Sequence, residues 1–188
     1  VPFPARHLLP NDAYSCVMSK RHPVTVMISS YGCPFKCAYC DVGTIRHQMR
    51  SAESVIAEMK ECRERHGIRE IWFQDETFTL NPGRVQAICE AIRRTGLDVI
   101  WSIRTRADLV SPGMLAAMKA AGCFKIHFGV ESADADVLAR LGRSISIERM
   151  REAFSWAREA GISTLAFFMI GNPGEDRPAL ERSIRFAR

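Results

Sequence analysis

The sequence predicts an α/β fold: a parallel sheet, covered by helices, that closes into a partial (β/α) barrel. Short apolar runs rich in β-branched and aromatic residues alternate five times with amphipathic helical stretches, which is typical of parallel strands joined by helices. Polar residues follow the carboxyl end of each predicted strand, as they do around the mouth of a barrel. An open doubly wound sheet would gather them at one switch point, and its G-x-G-x-x-G fingerprint is missing from the first loop of this sequence.

Turn residues bound the five predicted strands, and each strand leads into a polar segment. The strands cover residues 24–29, 71–73, 99–103, 124–130 and 164–170. The segments that follow are a cysteine-rich loop, Asp75-Glu76-Thr77, Arg104 with Arg106, Glu131-Ser132 and a Gly-Asn-Pro-Gly turn that begins at Gly171. Arg106 is expected just beyond the end of its strand.

Amphipathic periodicity and capping residues define the predicted helices. They cover residues 52–66, 82–94, 134–141, 148–160 and 178–188, with a further helix that begins at Ser111-Pro112 and ends at Gly122. Ser51 and Asn81 are the expected N-caps of the first two helices. Gly96 is the expected stop of the second helix.

Composition excludes several classes of protein. The chain has 188 residues, 47% of them apolar, which is enough for one domain with a sizeable core. No apolar run reaches the roughly 18–20 residues that span a bilayer, and there is no signal-peptide pattern, so we expect no membrane partner. The net charge of +5 comes from scattered basic residues, which does not support nucleic-acid binding. Seven cysteines, three of them close together, favour a metal site in the reducing cytoplasm over a disulfide framework.

The two ends of the sequence predict a piece of a longer protein. Residues 1–10 are rich in proline and cannot form a regular helix, so we expect a linker over residues 1–22 and a barrel core over residues 23–188. The series of strand–helix units stops after about five, so we expect the sixth unit of the barrel to be missing.

Cys33, Cys37 and Cys40 have the spacing C-x3-C-x2-C directly after the first predicted strand. Three thiolates can hold an iron–sulfur cluster and leave one iron open to a chelating ligand. A structural zinc site is the alternative, but it needs four ligands, and Cys16, His47 and Cys62 do not lie at a usual pairing distance.

This motif, with Tyr39 before its last cysteine, resembles the signature of the radical S-adenosylmethionine (SAM) superfamily, and the resemblance extends over residues 24–188. It implies a barrel, usually of six units, with the cluster loop after the first strand. It also implies an enzyme whose [4Fe–4S] cluster, held by the three cysteines, cleaves SAM reductively. The resulting 5′-deoxyadenosyl radical takes hydrogen from a substrate.

The resemblance also implies SAM contacts from strand ends and loops. The implied residues are Tyr39, Asp75, Glu76, Thr77, Ser102, Arg106, Glu131, Ser132, Arg143 and Gly171. Glu131-Ser132 resembles the Gly-x-Glu-Ser of the family, whereas Asp75-Glu76-Thr77 departs from the common Gly-Gly-Glu. Plain packing, a helix-entry turn and surface salt bridges are the structural alternatives for these residues. His127 is interpreted as a satisfied core histidine.

Residues 3–10 resemble the linker that joins a cobalamin-binding domain to the barrel in one class of radical SAM proteins, which includes methylases and a porphyrin ring cyclase. This resemblance implies cobalamin held by a domain outside the chain, a small-molecule substrate, and an electron donor such as flavodoxin or ferredoxin. A tRNA methylthiotransferase is one alternative. A non-catalytic iron–sulfur electron-transfer protein is an alternative of a different class.

Overall fold

The structure, a computed structural model, describes residues 2–188 and has the α/β architecture expected from the sequence. The strands of this part of the chain are β1 (Val24–Met27), β2 (Ser30–Tyr31), β3 (Gln48–Met49), β4 (Glu70–Phe73), β5 (Ile100–Arg106), β6 (Cys123–Glu131) and β7 (Ser163–Phe168). The α-helices are α1 (Ala52–His66), α2 (Pro82–Thr95), α3 (Pro112–Ala120), α4 (Ala135–Arg140), α5 (Ile147–Glu159) and α6 (Arg177–Phe186).

The main sheet has the order β1-β4-β5-β6-β7, and every neighbouring pair is parallel. The strands therefore follow one another in chain order, without the reversal that defines the switch point of a doubly wound sheet. This order confirms the partial barrel and excludes the open alternative.

Side chains of alternate strand residues face opposite sides of the sheet. On one side, Ile71, Trp101 and Phe128 are buried in the single large apolar cluster that joins the sheet to α1, α2, α3 and α5. The other side carries Arg104, Arg106, His127 and Gly129, and we call the space in front of it the lumen. The cysteine loop lies at one end of the lumen, because it follows the carboxyl end of β1.

The predicted N-caps of α1 and α2 and the predicted end of α2 are confirmed. The side chains of Ser51 and Asn81 accept hydrogen bonds from the backbone N–H groups of Ser54 and Arg84, which caps α1 and α2. Gly96 ends α2 in the left-handed conformation that glycine adopts without strain.

The predicted strand ends differ from the observed ones by up to three residues, and one strand pair was not predicted. β5 continues through Arg106, because pairing with β6 extends to the Arg106–Gly129 register. The short antiparallel pair of β2 and β3 was missed, because two-residue strands inside the cysteine loop give no periodic signal.

The predicted linker is mostly exposed but contacts the barrel at two places, at Arg6 and around Lys20; its first residue, Val1, lies outside the described residues. Arg6 is 3% exposed and forms an ion pair of 2.7 Å with Glu58, which is 1% exposed. The backbone N–H groups of Lys20 and Arg21 both donate to the Glu70 carboxylate at 2.7 Å. Within residues 2–188, no helix is both long and apolar enough to cross a bilayer.

Candidate active site

One cavity at the carboxyl ends of the strands collects most of the predicted site residues. It lies between the cysteine loop and the strands of the lumen. Its lining consists of Cys33, Phe35, Cys37, Tyr39, Cys40, Val42, Glu76, Thr77, Arg104, Thr105, Arg106, His127, Gly129, Glu131, Arg143 and Phe167.

Backbone contacts fix the start of the cysteine loop. Gly32 has a φ of +74°, and a Cβ atom there would lie 2.6 Å from the carbonyl oxygen of Ile45 and 2.8 Å from that of Arg46. The carbonyl oxygen of Gly32 also lies 2.9 Å from Nδ1 of His47. Only glycine fits this close approach, so Gly32 determines how the chain enters the loop at Cys33.

The three loop cysteines line the cavity together, and the Cys33 thiol lies 3.6 Å from the Thr77 hydroxyl. Among residues 2–188, no three His, Cys, Asp or Glu side chains are close enough to share one metal ion. A four-iron cluster does not require that, because each thiolate binds a different iron. Three free thiols that open into one cavity therefore fit a cluster with one iron exposed to a ligand.

Two buried arginines on the cavity wall keep N–H groups without partners. Arg106 binds Asp108 through two hydrogen bonds of 2.9 and 2.7 Å and lies 3.9 Å from the centroid of the Phe35 ring, yet its Nη1 has no partner. Arg143 donates to the Tyr39 hydroxyl at 3.0 Å and to the carbonyl oxygen of Gly129 at 2.6 Å, yet its Nε has no partner. Buried donors without partners are costly, so this wall fits a ligand that carries hydrogen-bond acceptors such as a carboxylate.

Glu131 lies at the end of β6 in a strained conformation, with a φ of +67° that residues other than glycine rarely adopt. Its carboxylate is 3.5 Å from Nη1 of Arg143. Burial raises the pKa of the Glu131 carboxyl above its usual value, and the opposing effects of Arg143 and the Tyr39 hydroxyl do not cancel that rise. A Cβ atom at Gly129 would lie 2.6 Å from a Glu131 oxygen, so the glycine makes room for this carboxylate.

Nine of the thirteen predicted site residues line the cavity, and four do not. Asp75 is fully buried and turned towards the start of the cysteine loop, where it accepts from the backbone N–H of Ser29 at 2.7 Å and from the hydroxyls of Ser29 and Ser30 at 2.6 Å. This placement corrects the expected contact with a ligand: three donors already occupy the Asp75 carboxylate, which supports the loop from behind.

The other three residues also lie away from the cavity. Ser102 is buried within β5 and is not part of the lining. The Ser132 hydroxyl contacts the Ser183 hydroxyl at 3.3 Å and accepts from the backbone N–H of Asp134. The N–H of Gly171 donates to the Glu175 carboxylate at 2.7 Å. The Ser132 hydroxyl thus joins the loop after β6 to α6 through Ser183, and the Gly171 N–H is bonded within the turn after β7.

Sequence reasoning missed several lining residues that strand alternation could have found. Arg104 shares the lumen face with Arg106, and His127 shares it with Gly129. The interpretation of His127 as a satisfied core residue is wrong, because its buried Nε2 has no hydrogen-bond partner among residues 2–188. Burial, followed by the positive charges of Lys125 and Arg104, lowers the pKa of His127.

Curated proteins are similar to this chain in sequence. An uncharacterized methyltransferase, PH0819, of Pyrococcus horikoshii is 36% identical over 191 residues, which cover 100% of this chain and 41% of that protein. Cytidylyl-2-hydroxyethylphosphonate methyltransferase of Streptomyces wedmorensis is 27% identical over 92% of this chain and 34% of its own length. The chain thus spans about a third to two fifths of these curated relatives.

A solved structure shares the fold. It is the radical S-adenosylmethionine methyltransferase TsrM from Kitasatospora setae with cobalamin and a [4Fe–4S] cluster bound, with a TM-score of 0.78 and 20% identity over 86% of this chain and 34% of that one. Residues 27–187 match the family described as the radical SAM superfamily. The cysteine loop, the barrel order and this match lead to one conclusion: the chain belongs to the radical SAM superfamily.

Proposed function

We propose that this chain is the core of a radical SAM enzyme in which Cys33, Cys37 and Cys40 hold a [4Fe–4S] cluster and the surrounding wall binds SAM. The observation that carries the proposal is the cavity itself, where the three thiols face two buried arginines with free N–H groups. When bound and reduced, the cluster and SAM supply a 5′-deoxyadenosyl radical that abstracts hydrogen from the substrate. The protein positions the reactants and keeps water away from them.

Different residues of the cavity wall bind different groups of SAM. Arg143 offers its free Nε to the carboxylate of SAM, and Tyr39 keeps the guanidinium in place through its hydroxyl. Glu131 accepts from the ribose hydroxyls, and Glu76 with Thr77 accepts from the ammonium group. Arg106 covers the cysteine loop through Phe35.

The enzyme is proposed to be a cobalamin-dependent methyltransferase that acts on a small molecule, with a cyclase of the same class as the second outcome. Two curated relatives are named methyltransferases, and TsrM holds cobalamin together with its cluster. Because the chain spans less than half of these relatives, cobalamin would be bound by a further domain that residues 1–22 connect to the core of residues 23–188. A flavodoxin or ferredoxin would supply electrons, and these reductants favour a cytoplasmic location.

The test is anaerobic reconstitution of the full-length protein, followed by measurement of dithionite-dependent 5′-deoxyadenosine. We expect the product from wild type and from Cys16→Ser, whose cysteine lies outside the cavity, and none from Cys37→Ser. A fully loaded cluster that yields no 5′-deoxyadenosine would contradict the enzyme and favour an electron-transfer protein. Retention of cobalamin by the full-length protein tests the subclass separately.

A further inference from the structure

His127 occupies an unusual position in the lumen. Its ring lies between Trp72 and Phe167, with centroid distances of 6.1 and 5.8 Å and edge-to-face angles of 72° and 68°. The residue is 7% exposed, and its Nε2 is buried without a partner. A polar nitrogen held this way between two aromatic rings costs about 1–3 kcal/mol unless a ligand supplies its hydrogen bond.

Arg104 lies beside His127 on the neighbouring strand, since the two residues are register partners of β5 and β6. Its side chain is exposed, lines the same cavity and makes no ion pair or side-chain hydrogen bond within the described part of the chain. The two other arginines of the cavity are engaged, Arg106 with Asp108 and Arg143 with Glu131. Arg104 is therefore the cation of this cavity that lacks a counter-charge.

The two charges that act most strongly on His127 are positive. Lys125, two residues earlier on the same face, donates to the carbonyl oxygen of Met18, and Arg104 lies on the opposite flank. Burial, followed by the charges of Lys125 and Arg104, lowers the pKa of His127, which favours the neutral imidazole with one N–H donor and one acceptor nitrogen.

We propose that this part of the lumen binds an oxyanion of the substrate, a carboxylate or a phosphoryl group, with Arg104 as the counter-charge and His127 as the hydrogen-bond donor. Phe167, which lines the same cavity, contacts the apolar part of the same molecule, and Trp72 supports the His127 ring from the other side. The inference rests on the proposed function, because it assigns the substrate class of that site. A guanidinium fits either oxyanion through two parallel hydrogen bonds, and a neutral imidazole adds a third.

The experiment uses the full-length protein with its cluster loaded and SAM at saturation, without reductant. Propionate, methylphosphonate and the uncharged propionamide are the probes, and titration with saturation-transfer NMR gives their dissociation constants. The variants are Arg104→Gln, which removes an exposed charge, and His127→Phe, which keeps an aromatic ring between Trp72 and Phe167. Arg177→Gln is the matched control, since Arg177 is an exposed arginine on α6 that pairs with Glu181 outside the cavity.

We expect at least one of the two anions to bind wild type and Arg177→Gln equally, and propionamide to bind far more weakly. Arg104→Gln should weaken the anion by about tenfold or more, the scale of a hydrogen bond to a charged group, and His127→Phe by a smaller factor. The preferred anion identifies the carboxylate or the phosphoryl class. Equal affinity for wild type and Arg104→Gln, binding of propionamide as tight as that of propionate, or binding of neither anion would overturn the inference.

The same preparations are assayed for dithionite-dependent 5′-deoxyadenosine, which separates this inference from the proposed function. If wild type forms 5′-deoxyadenosine and the anions bind wild type and Arg104→Gln with equal affinity, the proposed oxyanion site is wrong and the radical SAM activity stands. If no 5′-deoxyadenosine forms from a loaded cluster, the proposed function fails whatever the anions do.

Discussion

At the scale of single residues, the cysteines fall into two physical classes. Cys62, Cys89 and Cys123 are buried in the apolar core, where burial raises the pKa of the Cys62 thiol to about 11 and that of Cys89 to about 12, and raises that of Cys123 as well. These thiols stay protonated and pack as small apolar side chains. The other four cysteines, Cys16 and the three of the cavity, are partly or fully exposed.

The two classes predict an alkylation map. Iodoacetamide should modify Cys16, Cys33, Cys37 and Cys40 of the folded protein without its cluster and leave the three core cysteines unmodified, as peptide mass spectrometry would show. Loading the cluster should protect the three cavity cysteines and leave Cys16 reactive. Continued modification of any cavity cysteine in the loaded protein would remove it from the ligand set.

Glu131 predicts a pH-dependent gain of stability on substitution. Because the folded pKa of its carboxyl lies above the unfolded value, the folded state binds the proton more tightly, so this group stabilises the fold at low pH and that contribution is lost as pH rises through the folded pKa. Glu131→Gln should therefore be more stable than wild type near pH 7, and the advantage should shrink towards pH 4. Urea unfolding of both proteins across this range measures the difference.

The matched control is Asp98→Asn, whose exposed carboxyl has a lowered pKa through its hydrogen bond and charge interaction with Arg21, so its pH dependence has the opposite sign. A constant difference between Glu131→Gln and wild type at all pH values would show that the carboxyl is not perturbed. The same variant should bind SAM more weakly, because Glu131 is proposed to accept from the ribose.

Which residues could be predicted depended on whether the signal was local. Arg106 and Glu131 stand in short motifs at the ends of predicted strands, so the family resemblance was enough to assign them to the cavity that they line. The role of Asp75 could not be found this way, because its donors on Ser29 and Ser30 are about 45 residues earlier in the chain. Only the parallel pairing of β1 with β4 brings these groups together.

At the scale of elements, the loop between β1 and α1 depends on a single backbone position. Gly32→Ala places a methyl group against two carbonyl oxygens at a positive φ, so the entry to the loop must shift. We expect the variant to keep its far-UV circular dichroism spectrum and to lose most of its bound iron on reconstitution. Iron and sulfide analysis measures that loss.

Gly113→Ala is the control, because a Cβ atom there meets nothing within 4 Å at the start of α3. It should bind iron like wild type and be unchanged or slightly more stable, since alanine restricts the unfolded chain. Normal iron content in Gly32→Ala would show that the loop has a second conformation able to hold the cluster.

The regular elements were predictable because local and global signals agreed. Ser51, Asn81 and Ser111 each cap the helix that their position indicated. The pair of β2 and β3 was not predictable, because its register comes from the fold of the cysteine loop and not from a hydrophobic pattern.

At the scale of the whole molecule, the segment before β1 is part of the packed structure. Arg6 forms a buried ion pair with Glu58, donates to the carbonyl oxygen of Val26 at 3.1 Å, and shares Glu58 with Arg50. Because a buried carboxylate is costly when it loses a partner, this cluster ties the segment to α1 and β1. Composition could not predict these contacts, because a proline-rich segment has the same composition whether it is free or packed against the fold.

The buried pair predicts a large effect of a small change. Arg6→Ala should lower the free energy of unfolding by about 3 kcal/mol, the scale of breaking a buried ion pair. Arg21→Ala, which breaks the exposed pair with Asp98, should cost less than about 1 kcal/mol. Urea unfolding of both variants at one pH measures these changes in the free energy of unfolding. Equal and small decreases for both variants would show that the Arg6 segment is loosely held.

The same segment has a consequence for mutational studies. Its residues around Lys20 lie across the amino ends of β4 and β6, where Glu70 and Lys125 bind its backbone. The cysteine loop lies at the opposite, carboxyl end of the sheet, and no residue of this segment lines the cavity. A substitution near Lys20 would therefore act on the cavity through β4 and β6 and not by direct contact.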